Sequence, residues 1–122
     1  MKVLAVDDNP AIVNLINAIL TSRGHEVEIA KDGKTALQMY PLCKPNLVTL
    51  DLMMPGMSGY ETLSKILEID RNAIVIMLTA SDEDDTVQEC MKRGAMGFLT
   101  KPFKPNELVD ALKTAAVTAG IE

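Results

Sequence analysis

The sequence predicts an α/β domain, a parallel sheet of five strands with helices packed on both faces. Three observations predict it. Short runs rich in Val, Ile and Leu recur five times along the 122 residues. Segments with helical spacing of apolar residues lie between them. Most of the short runs are apolar on both faces, as suits strands covered on two sides. Repeated strand–helix units give parallel strands joined by right-handed crossovers.

The strand-like runs fall at residues 3–6, 27–30, 47–50, 74–78 and 97–99. After the first run, Ile12, Leu15, Ile16, Ile19 and Leu20 repeat at helical spacing. Asn9 is placed to cap that helix, Pro10 suits its first turn, and Gly24 suits its end. The second helix is expected over residues 33–40, capped by Asp32 and stopped by Pro41. Ser58 and Glu61 have the spacing of a capping box, opening a third helix that runs to about Glu68. Ser81 is expected to cap the fourth, whose first turn is acidic and whose end precedes Gly94. Pro105 opens the last, which presents Leu108, Leu112 and Ala116 on one face.

Composition narrows the function. The chain is 48% hydrophobic and 24% charged, values of a soluble globular domain, and long enough for one core. A net charge of −5 offers no basic stripe for nucleic acid and little attraction to an anionic membrane. No apolar run reaches the roughly 20 residues of a membrane span. The N-terminal MKVLAVDDNP lacks the apolar core and cleavage site of a signal peptide. Cys43 and Cys90 stand singly in different segments, which suits reduced structural thiols and a cytoplasmic location.

In such folds the working crevice lies at the carboxyl ends of the strands. The first strand leads into Asp7 and Asp8, the third into Asp51, the fourth into Thr79, and the fifth into Thr100, Lys101 and Pro102. If the first and third strands are neighbours, their ends lie about 5 Å apart and three carboxylates share one pocket. Two unit charges at about 5 Å repel by roughly 3 kcal/mol at an effective dielectric near 20. Either one acid keeps a proton or a cation joins them. Oxygen donors without His or Cys suit magnesium before zinc. Lys101 adds a fixed positive charge and Thr79 a hydroxyl, which together suit a phosphoryl group in transfer. Asp51 is then a nucleophile forming an aspartyl phosphate. Each acid alone reads first as a turn former or helix cap; the conjunction at one edge favours chemistry.

The ordered set VDDNP, LDLMMPGMSG, LTAS and FLTKPF resembles the receiver domain of two-component response regulators, from Val3 to about Ala116. The resemblance implies a flavodoxin-like (βα)5 three-layer sandwich with strand order 2-1-3-4-5. It implies Asp51 as phosphoacceptor, Asp8 as a direct magnesium ligand, Asp7 as a ligand through water, and the Met53 backbone carbonyl as the remaining protein ligand; manganese is the alternative ion. Lys101 would pair with the phosphoryl oxygens, Thr79 would hydrogen-bond one of them, and Phe98 would be the aromatic switch. Met53 and Ser81 match positions that tune the lifetime of the phosphate. The Lys101–Pro102 bond is expected to be cis.

The resemblance also implies a signalling module that catalyses only its own phosphorylation and dephosphorylation. It reads as a single domain over residues 1–122 with no output domain, a stand-alone regulator of the CheY chemotaxis type; a receiver excised from a larger regulator or hybrid kinase would look the same. A CheA-like sensor histidine kinase is the expected donor, and a motor or adaptor protein the expected target on the face of the fourth helix, fifth strand and fifth helix. The expected state is a monomer, with dimerisation on phosphorylation as the alternative. The acidic stretch SDEDD at residues 81–85 reads either as a complement to a helix dipole or as the docking site of a basic partner. An aspartyl-phosphate hydrolase is disfavoured, because Met53 stands where a second acid would be needed. No G-x-G-x-x-G follows the first strand, against a dinucleotide site. The one histidine, His25, precedes the second strand, at the edge opposite the acids.

Overall fold

A computed structural model describes residues 1–80 and 83–120. Five strands, β1 (Lys2–Val6), β2 (Glu26–Ala30), β3 (Leu47–Asp51), β4 (Val75–Thr79) and β5 (Gly97–Thr100), alternate with five helices. These are α1 (Pro10–Thr21), α2 (Gly33–Cys43), α3 (Gly59–Ile69), α4 (Asp84–Lys92) and α5 (Pro105–Thr118). All strand pairs are parallel, in the order β2-β1-β3-β4-β5. This is the predicted doubly wound sheet.

The central strands are buried along their whole length, as their aliphatic sequences LVTLD and VIMLT require. Alternate side chains feed two cores. Leu4, Val48, Leu50 and Met77 meet Tyr40 of α2, Leu63 and Ile66 of α3 and Cys90 of α4. Val3, Leu47, Ile76 and Leu78 meet Ile16 and Leu20 of α1 and Leu108 and Leu112 of α5. Removing one such side chain to Ala costs about 2–5 kcal/mol through lost burial and the cavity left behind. The result is three layers, two helical and one sheet. Both thiols are free; Cys90 is buried and Cys43 half-buried against the same core.

The helix starts follow the expected chemistry. The Asn9 side chain accepts the Ala11 N–H at 2.9 Å, and Pro10 opens α1. Asp32 accepts the Thr35 N–H at 2.7 Å, and the Ser58 hydroxyl accepts the Glu61 N–H at 3.2 Å. Gly24 lies beyond α1 at φ +85°, a conformation that costs glycine little.

Three expectations are corrected. Pro41 does not stop α2; the helix continues to Cys43 and ends at Lys44 in the left-handed region. A proline so near the end removes one hydrogen bond from the last turns of the helix, a smaller penalty than in mid-helix. In α1 the buried stripe is Val13, Ile16, Ile19 and Leu20, while Leu15 is exposed, because one apolar ladder must choose between two overlapping faces. Finally, α4 begins at Asp84 with Glu83 in the cap position, not directly behind Ser81, which lies outside the described residues.

Candidate functional site at the carboxyl edge of the sheet

The sheet order makes β1 and β3 neighbours, with Val6 opposite Leu50. The two strands therefore deliver Asp7 and Asp51 to the same edge. Both carboxylates are buried, while Asp8 is exposed at the rim. One oxygen from each of Asp7, Asp8 and Asp51 can be chosen so that all lie within 4.8 Å of one another. Asp7 is held by backbone on two sides: its N–H donates to the Ala30 carbonyl at 3.1 Å, and its Oδ1 accepts the Asn9 N–H at 3.0 Å.

Lys101 arrives from the far end of the chain. Its Nζ donates to Asp7 Oδ2 at 2.7 Å and to Asp51 Oδ1 at 3.1 Å. The backbone N–H of Lys101 donates to the Thr79 carbonyl at 2.7 Å, tying the end of β5 to that of β4, and the Lys101–Pro102 bond is cis as expected. Burial pushes the Asp51 carboxyl above its ordinary range; the Lys101 hydrogen bond opposes this, and the Asp7 charge reinforces it. Burial acts to lower the Lys101 ammonium, but its bonds to the two carboxylates outweigh that and raise it. The pocket thus pairs two buried anions with one cation, and the third acid waits at the mouth.

Thr79 is buried at the end of β4, directly opposite Thr100 on β5. Phe98, two residues earlier on β5, is half-buried beside Met77 and packs on the core beneath α2, α3 and α4. Met53 follows the site and is 75% exposed; its N–H lies 3.4 Å from Asp51 Oδ1. Ser81, expected to act with Met53, lies outside the described residues. The structure therefore gathers Asp7, Asp8, Asp51 and Lys101 directly, with Thr79 at the adjoining strand end. His25 lies elsewhere, its Nδ1 3.0 Å from the N-terminal amine.

Sequence reasoning did not anticipate that Lys101 would bridge Asp7 and Asp51, nor did it single out Gly59. The first turn of α3 sits directly on the end of β3, where the Gly59 N–H donates to the Leu52 carbonyl at 2.9 Å. A Cβ at Gly59 would fall 2.6 Å from Leu52 Cα and against the Asp51 carbonyl. The signal available was the glycine immediately after the Ser58 cap, eight residues past the acid.

The donor set fits a hard divalent cation, because every grouped ligand atom is a carboxylate oxygen. The sheet places acids at the ends of two adjacent strands and a lysine just beyond the last one. Residues 3–113 match the response regulator receiver domain, and the chain belongs to that family. It is similar to the chemotaxis protein CheY of Thermotoga maritima, 38% identical over 112 residues that cover 91% of this chain and 93% of that protein. It is also 39% identical to sporulation initiation phosphotransferase F of Bacillus subtilis, over 92% of this chain and 90% of that one. Among solved structures, a chain of the CheX–CheY–BeF3–Mg complex of Borrelia burgdorferi superposes with a TM-score of 0.89 at 35% identity, covering 93% of this chain and 87% of that one.

Proposed function

We propose that the chain accepts a phosphoryl group on Asp51 from a histidine kinase and thereby changes its α4–β5–α5 surface for a downstream target. The observation that carries this reading is the Lys101 ammonium bonded to both Asp7 and Asp51, with Asp8 in the same cluster. In the transfer an Asp51 carboxylate oxygen bonds to phosphorus as the phosphorus–nitrogen bond to the donor imidazole breaks. The product is an acyl phosphate on Asp51, and the electron pair leaves with the donor nitrogen.

Asp8 and Asp51 would hold Mg2+ directly, with the Met53 carbonyl, and Asp7 through water; Mn2+ suits the same oxygens. The ion would neutralise charge on the transferring oxygens and the acids around them. Lys101 is already placed to exchange a carboxylate partner for a phosphoryl oxygen. Thr79 stands at the adjoining strand end, where its hydroxyl would bond another. Phe98 would follow Thr79, having no hydroxyl of its own to satisfy on burial. Met53, exposed at the mouth, would limit water's approach to the acyl phosphate and lengthen its life; Ser81 would act on the same step. A role in chemotaxis, with a CheA-like donor and a motor or adaptor target, is supported by the similarity to CheY proteins.

The test is incubation with acetyl phosphate and magnesium, followed by intact mass. Wild type gains one phosphoryl group, Asp51→Asn gains none, and EDTA abolishes the gain. Labelling of Asp51→Asn at the wild-type rate would remove Asp51 as acceptor.

A further inference from the structure

Over β5, between α4 and α5, the surface carries a groove of about 600 Å³. Val87 and Met91, one turn apart on α4, line it together with Met96 and Phe98. On the α5 side the lining is small, Ala111 and Ala115, which leaves room beside the methionines. Met91 and Met96 are exposed. Methionine walls adapt to apolar side chains of different shape. A contiguous apolar patch with a polar rim marks a docking surface, whereas single exposed apolar residues do not.

The rim supplies the chemistry. The two charged side chains that line the groove, Glu107 and Asp110, are both acidic and both exposed. They lie three residues apart on one face of α5, in line with Ala111. Asp84 and Asp85 add two more carboxylates in the first turn of α4. A second copy of this chain docked face to face would bring the same carboxylates to both sides of the joint, which opposes association.

We infer that this groove receives a segment of a partner protein in which apolar side chains stand beside lysine or arginine. The apolar side chains seat against Val87, Met91 and Met96. The cations meet Glu107 and Asp110, which fix the register and speed the encounter. This assignment rests on reading the face as the output surface and adds the chemistry of what binds there.

The probe is a fluorescein-labelled amphipathic peptide of leucine and lysine, compared with one in which glutamate replaces every lysine. Anisotropy is followed with the protein alone and with beryllofluoride and magnesium. The lysine peptide binds at least about tenfold more tightly than the glutamate peptide in one or both states. The pair Glu107→Lys with Asp110→Lys lowers its affinity at least about tenfold, whereas Glu61→Lys with Glu68→Lys, an equal charge change on α3, alters it less than about twofold. Ala111→Trp, which fills the groove without changing charge, also weakens binding. Circular dichroism confirms that each variant is folded. Equal losses in the two charge-reversed pairs, equal affinity for the two peptides, or binding indifferent to Ala111→Trp would overturn the assignment. So would self-association in sedimentation that displaces the peptide, since the occupant would then be a second copy. Peptide selectivity with no acetyl phosphate labelling would leave the groove standing and sink the phosphoacceptor reading.

Discussion

At the scale of single residues, polar groups inside the sheet are either paired at its edge or carry a cost. Thr49 is the exception to pairing among the described residues: its hydroxyl is buried in mid-strand without a hydrogen-bond partner. Thr49→Val keeps the shape and removes the orphaned donor, so it should raise stability by about 1 kcal/mol, read by urea unfolding. A loss of stability would show that the hydroxyl is satisfied in solution. The acids and Lys101 were legible in the sequence because each follows a recognisable strand. The bridge they form was not: it joins residues 94 and 50 positions apart, and depends on strand order that no local pattern encodes.

At the scale of elements, the β3–α3 junction sets the position of Asp51. The helix starts so close to the strand end that only glycine fits at its first position. Gly59→Ala should therefore push α3 away from Leu52, cost roughly 2–3 kcal/mol and slow acetyl phosphate labelling. Unchanged melting and labelling would show that the junction yields freely. Element types were readable throughout, since the strands are short aliphatic runs and the helices between them carry helical apolar spacing or capping residues. Boundaries were less so. Pro41 within α2 shows why: a helix end is decided by the last turn's packing and by Lys44 taking the left-handed conformation, not by proline alone. The start of α4 was misplaced for a related reason, because SDEDD offers several acidic or hydroxyl residues able to begin a helix and only tertiary contacts choose among them.

For the whole molecule, the site's charge couples stability to pH. Burial raises the Asp51 carboxyl in the folded protein, so folding favours its protonated form. That contribution is fully present below the ordinary carboxylate range and is lost as pH rises through the raised value. In EDTA at neutral pH, Asp51→Asn should therefore melt a few degrees above wild type, with the gap closing as the pH falls through the carboxylate range. Magnesium should narrow the gap by stabilising wild type more. Identical melting curves across pH would contradict a buried, charge-crowded Asp51. Fold class was legible because five βα units leave few arrangements open, and the strand order came only with the resemblance of the strand-end motifs; the groove over β5 was not legible, because it arises from spacing between α4 and α5 that only packing sets.

The bond from Lys101 to Asp7 and Asp51 also has a consequence for how the protein is made. Translation delivers the three acids within the first 51 residues, but the lysine only with the last strand. A ribosome-bound chain that has not yet released β5 holds its carboxylates without their internal partner. The buried acids therefore gain their internal cation only when the final βα unit is in place, so the charge balance of this edge is completed last.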